Sequence, residues 1–172
     1  MILYNVLARL LDYPVEELKT HSAEIREVVA SEPAISSEER RVIGEFVDHV
    51  AQTELLELEK EYVQTFDMIP EHSLHLTHHL FGDDRGRGPA LVDLGEHYKG
   101  MGLEAKEGEL PDYLPLILEY VSTLDEVAAR IFLADAAKVL TEVAANLEKS
   151  QSCYAPLLRL VERRGQMMRM AS

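Results

Sequence analysis

With 172 residues, 47% of them hydrophobic, the chain is long enough for one domain with a sizeable core and too apolar to stay disordered. A net charge of −14, from 31 acidic against 17 basic residues, repels phosphate backbones and anionic headgroups, which argues against nucleic-acid partners and stable membrane association. No apolar run approaches the roughly 20 residues of a membrane span, the N-terminus lacks a signal-peptide pattern, and a lone cysteine suits a reducing compartment, so the expected location is the cytoplasm.

Apolar residues recur at helical spacing nearly everywhere, and no alternating strand pattern persists. Helix one uses Ile2, Leu3, Val6, Leu7 and Leu10, and stops before Pro14. Pro14 opens helix two, which carries Val15, Leu18, Ile25, Val28 and Val29 to near Glu32-Pro33. Ser36 and Glu39 form the S-x-x-E pattern of a capping box, in which each side chain serves the other residue's free backbone donor. Helix three follows with Val42, Ile43, Phe46, Val47 and Val50. Helix four carries Leu55, Leu58, Tyr62, Val63 and Phe66, and Pro70 closes it.

Next comes the stretch from His72 to Pro115, which holds five of the seven histidines. It begins with a short apolar segment bearing His75, His78 and His79 and ending at Phe81. A polar loop from Gly82 to Gly88 leads to a helix opened by Pro89, and Glu109-Leu110-Pro111-Asp112 marks the entry to another. Beyond it, Leu114, Ile117, Leu118, Val121 and Leu124 form a stripe that tolerates Pro115 only in a first turn. Thr123 and Glu126 suggest a second capping box, starting the longest helix with a face of Val127, Ile131, Ala134, Leu140, Val143, Ala144 and Leu147. Leu157, Leu158 and Val161 mark the last helix, and residues 163–172 read as a frayed tail. The expectation is one all-α domain over 1–172, a bundle of about eight to nine helices.

Chemistry concentrates in the central stretch. On a helix His75 and His79 share a face, with Glu71 and Asp83 a turn to either side, a stripe suited to a borderline divalent metal. The HExxH and E-x-x-H patterns are absent, so the favoured reading makes these histidines structural or peptide-contacting. The alternative is a small helical metal-binding protein using His75, His79 and Asp83. The loop GDDRGRG lacks GK[ST] and a preceding strand, so it is no P-loop. It reads either as a tight turn, with Asp83 or Asp84 paired to Arg85 or Arg87, or as a rigid reader of polar peptide groups. Tyr98, Tyr113 and Tyr120, apolar with polar tips, suit core edges or a peptide groove. Cys153 has no activating neighbour, and no catalytic residues are assigned.

The run SLHLTHHLFGDDRGRGPALVDLGEHYKGMGL, followed by ELPDYLPLILEYVS, resembles the NarJ-type molybdenum-cofactor assembly chaperones of respiratory nitrate reductase, also called its delta subunit, within the wider TorD/DmsD-like family. Leu10 to Pro14 (LLDYP) and Glu61 to Asp67 (EYVQTFD) extend the likeness over most of the chain. Where many relatives have Glu-Ser in the loop, this chain has Asp83-Asp84. The resemblance implies a TorD-like helical fold without enzymatic activity and without a stably bound cofactor. The implied protein is a monomer or weak homodimer. It binds the N-terminal segment of the catalytic alpha subunit of a nitrate reductase, or a related molybdoenzyme, and assists molybdenum-cofactor and iron–sulfur insertion before membrane docking. The residues so implicated in client binding are His75, His78, His79, Phe81, Asp83, Asp84, Arg85, Arg87, Asp93, Tyr98, Glu109, Pro111, Asp112 and Tyr113.

Overall fold

The computed structural model describes residues 1–82, 84–105 and 107–166, and among these the fold is all α. Ten α-helices are present: α1 (Ile2–Leu11), α2 (Glu16–Thr20), α3 (Ser22–Ser31), α4 (Ser37–Gln52), α5 (Leu55–Tyr62), α6 (Leu76–Phe81), α7 (Arg87–Gly100), α8 (Leu114–Thr123), α9 (Glu126–Lys149) and α10 (Ala155–Gln166). A π turn, Val63–Asp67, prolongs α5, and a 3-10 turn, Pro70–His72, follows it. None of these helices is long and apolar enough to cross a membrane.

α1 lies at the centre because it is apolar over most of its circumference, burying Leu3, Tyr4, Val6, Leu7, Ala8, Leu10 and Leu11. It packs against α8, while α9 and α10 pair as a hairpin, and one core runs through the bundle from Leu3 to Val161. The hairpin closes at Gly165, where a Cβ would stand 2.7 Å from the Leu133 carbonyl oxygen. Only glycine allows that approach. α4 is tied to this pair through its cap. Ser36 Oγ accepts from the Glu39 N–H, and one Glu39 oxygen accepts from the Ser36 N–H while the other accepts from Arg164 at 2.9 Å. Pro115 falls in the first turn of α8, where it displaces no helical hydrogen bond.

Several expectations need correction. The single helix predicted from Pro14 is two: Asp12–Val15 runs extended, and α2 breaks from α3 at His21 (φ −96°, ψ 11°). The break leaves Lys19 Nζ on the Val50 and Thr53 carbonyls at the end of α4, where a cation is favoured. α9 is capped by Asp125, whose Oδ1 accepts from the Ala128 N–H at 2.8 Å; the Thr123 hydroxyl instead donates back to the Tyr120 carbonyl. Its buried face in the first turns is Ala129 and Leu133, the residues that meet α10, leaving Val127 and Ile131 60% and 51% exposed. Finally, the predicted fraying at 163 does not occur. α10 continues to Gln166 because Arg163 and Arg164 pair with Glu38 and Glu39, and Gly165 is buried; residues 167–172 lie outside the described set.

Candidate functional site

The central stretch is organised around a buried carboxylate. Leu110 precedes a proline, a position that disfavours helix; Pro111 and Asp112 form a turn closed by the Tyr113 N–H donating to the Leu110 carbonyl at 3.2 Å, and Tyr113, the N-cap of α8, is extended. This puts Tyr113 in an antiparallel bridge with His75: Leu76 N–H donates to the Asp112 carbonyl at 3.1 Å, and Leu114 N–H to the Leu74 carbonyl at 2.9 Å. The two rings stack, with centroids 5.2 Å apart. Asp112, 0% exposed, turns its side chain to the N-terminus of α6. Its Oδ1 accepts from His75 Nδ1 at 3.2 Å, and its Oδ2 from the Thr77 N–H at 3.0 Å and the Thr77 hydroxyl at 2.5 Å. Arg87 Nε donates to Thr77 Oγ1 at 3.0 Å, and its Nη2 lies 3.7 Å from Oδ2. Burial pushes the Asp112 carboxyl up, but the bonds from His75 and Thr77 and the charge of His75 outweigh it and hold the group below the usual carboxylate range.

A tyrosine relay joins this hub to α1. The Tyr113 hydroxyl donates to Asp12 Oδ1 at 3.0 Å and meets the Tyr62 hydroxyl, which also lies 3.0 Å from the Leu11 carbonyl. Burial pushes both phenols up, so they remain hydrogen-bond donors at every physiological pH. From beneath, the Tyr98 hydroxyl donates to the Pro111 carbonyl at 2.5 Å.

Above the relay opens a cleft of about 210 Å³, walled by Tyr13, Tyr62, Phe66, Asp67, His75, Glu109 and Tyr113. Tyr13 also borders a second hollow of about 390 Å³, with Val15, Leu18 and Ile25. Through Arg9, His21 and Ile25 that hollow continues into a third of about 740 Å³, floored by Ile2, Val6, Val28 and Leu103. Together they make a groove along α1 with an apolar floor and Glu17, Glu24 and Glu119 among its walls. Such a surface suits an amphipathic segment carrying basic residues.

Of the residues singled out from the sequence, His75, Glu109 and Tyr113 line the cleft, while Asp112, Pro111 and Tyr98 support it from within. His78, His79 and Phe81 lie on α6, which Gly82 ends at φ 53°, a left-handed conformation that favours glycine. Arg87 turns inward to Asp112 and Thr77 rather than to Asp84, which accepts from the Gly86 N–H at 3.0 Å. Arg85 is exposed on the turn beyond Asp84. Asp93 borders a separate hollow with His97, Met101 and Tyr120. Asp83 lies outside the described residues. In the alternative metal reading His75 and His79 were to share one helical face, and they do not. His75 precedes α6 in extended backbone and faces Asp112, whereas His79 Nε2 donates to the Ser73 carbonyl at 2.7 Å. Sequence reasoning missed Asp12, Tyr13, Tyr62, Phe66 and Asp67 as site residues. The signal available was their presence in LLDYP and EYVQTFD.

Comparison with known proteins follows the same segments. A family model described as nitrate reductase delta subunit matches residues 32–159. The chain is 35% identical over 161 residues to the nitrate reductase molybdenum cofactor assembly chaperone NarJ of Escherichia coli (strain K12), spanning 94% of this chain and 68% of that protein. It is 34% identical over 161 residues to the probable NarJ chaperone of Bacillus subtilis (strain 168), spanning 93% and 86%. A third relative, the probable assembly chaperone NarW of Escherichia coli, is 31% identical over 157 residues, spanning 91% and 65%. All three are named as assembly chaperones rather than enzymes.

Proposed function

The chain belongs to the nitrate reductase delta subunit family, and from that membership we propose that it is a cytoplasmic assembly chaperone for a nitrate reductase or a related molybdoenzyme. In this reading it binds the N-terminal segment of the catalytic subunit and keeps that subunit open for molybdenum-cofactor and iron–sulfur insertion before membrane docking. It performs no reaction of its own.

One observation carries the reading. Four segments that share the family's pattern, widely separated in the chain, converge on a single cleft: Tyr13 from the first, Tyr62, Phe66 and Asp67 from the second, His75 from the third, and Glu109 and Tyr113 from the fourth. A core needs no such convergence of polar side chains as Tyr13, Asp67, His75, Glu109 and Tyr113 above the buried Tyr62 and Phe66, because buried apolar contacts alone would hold it. The Asp112 hub pre-sets the extended backbone at His75 and Tyr113, so their side chains are ordered before a client arrives and less conformational freedom is lost on binding. The groove along α1 then accommodates the client's apolar face, and the acidic walls attract its basic residues.

The test is site-specific photocrosslinking in cells that make the reductase. A crosslinking residue at Tyr13 should capture the large catalytic subunit through its N-terminal segment, whereas one at Val127, on the outer face of α9, should not. Capture of the large subunit equally from both positions, or from neither, would reject the cleft as the client site.

A further inference from the structure

Apart from the cleft, three potential metal ligands from three elements meet at one point. His49 lies in the last turn of α4, Glu61 near the end of α5, and Cys153 in the turn before α10, and their ligand atoms all fall within 4.8 Å of one another. His49 Nε2 and Glu61 Oε2 are 2.7 Å apart, and the Cys153 thiol hydrogen-bonds to Glu61. The histidine and the carboxylate are each about a third exposed, at 34% and 35%, so an ion has a path from water. Among the described residues this is the one group of its kind.

We propose that His49, Glu61 and Cys153 form a binding site for a borderline divalent cation of the zinc class, with water as the fourth ligand. The donor set is one that zinc accepts: a thiolate at about 2.3 Å, an imidazole and a carboxylate at about 2.0–2.2 Å. At tetrahedral angles those bonds place the ligand atoms about 3.3–3.6 Å apart. The His49–Glu61 pair, at 2.7 Å, therefore opens by about half an ångström, while the separations from the Cys153 sulfur are already no more than 4.8 Å, within reach of side-chain rotation. On binding, the thiol proton leaves to solvent and Cys153 binds as thiolate. His49 binds as neutral imidazole through Nε2, leaving its Nδ1 toward the Thr53 hydroxyl, 3.5 Å away.

The site lies just behind the cleft. Tyr154, next to Cys153, packs its ring on Phe46, Tyr62 and Phe66 at centroid distances of 5.0, 5.9 and 4.8 Å. An ion would thus pin α4, α5 and the α9–α10 turn behind the cleft's aromatic wall. The proposal is independent of the client reading, since it concerns only the ion and these three ligands.

The test uses tag-free, reduced, chelator-stripped full-length protein titrated with Co²⁺. The lone cysteine makes the readout specific, because other histidines give no thiolate-to-cobalt charge-transfer band. The expected result is one Co²⁺ per chain with that band, bleached by added Zn²⁺. Cys153→Ser should fold normally by circular dichroism and lose the band, and His49→Gln should weaken binding at least tenfold. Zn²⁺ should raise the melting temperature of the wild type but not of Cys153→Ser. Cobalt bound without the band, no binding at millimolar Co²⁺, or equal affinity in wild type and His49→Gln would each overturn the site.

Discussion

Asp112 is a buried carboxylate whose work is to hold other residues in place. Replacing it with alanine leaves the Thr77 donors unmet, removes the acceptor of His75 and takes the ion-pair partner from Arg87, which keeps its bond to Thr77 Oγ1. Leaving the buried Thr77 donors unsatisfied costs about 1–3 kcal/mol, which a shift in denaturant midpoint would show. The pH dependence follows from the sign of the shift. A carboxyl held below its unfolded value of about 3.9 contributes stability that is present above that pH and lost as pH falls through the lower folded value. Acid unfolding of the wild type should therefore steepen below about pH 4, and Asp112→Asn should lack that component. Cys153 gives a second prediction. Burial first, then the charge and hydrogen bond of Glu61, push its thiol up to about 12. In metal-free protein at pH 8, iodoacetamide should label it far more slowly than in the urea-unfolded chain, and equal rates would contradict this environment. His75, Asp112 and Tyr113 were each singled out in the sequence, but their mutual contact was not legible there. A bond across 37 positions leaves no trace in spacing, and the hub became visible only once Leu76 and Leu114 were seen to bridge the two segments.

Helices were legible because a 3.6-residue period survives in nearly every segment, and the Ser36–Glu39 box marked the start of α4 correctly. The phase of α9 was not. Its first turns offer two apolar stripes, Val127 with Ile131 and Ala129 with Leu133, and the larger side chains suggested the wrong one. What decides is the partner: α10 brings Gly165 against the Leu133 carbonyl, so the stripe bearing Leu133 is the one that is covered. Gly165→Ala should therefore force the hairpin apart and cost about 1–3 kcal/mol, whereas Val127→Ser on the exposed face should stay within about 0.5 kcal/mol of wild type. Thermal unfolding of both variants checks the pair. The break at His21 was equally hidden, since nothing in the local pattern reports that Lys19 is held by the end of α4.

Over the whole molecule, the proposed function joins the excess of acidic residues to the groove along α1: attraction would bring a basic amphipathic segment in, and apolar contact would hold it. Exposed charges are screened over about 8 Å at physiological ionic strength, so affinity for the client peptide should fall as salt rises. The central claim is that the cleft beneath Tyr13 receives the client. Its most direct test is calorimetric titration of the catalytic subunit's N-terminal peptide into wild-type protein and into Tyr13→Ala, which removes a ring 42% exposed at the junction of cleft and groove. Tyr13→Ala should bind the peptide at least tenfold more weakly with its helical content intact. Equal affinity in the two proteins would contradict it.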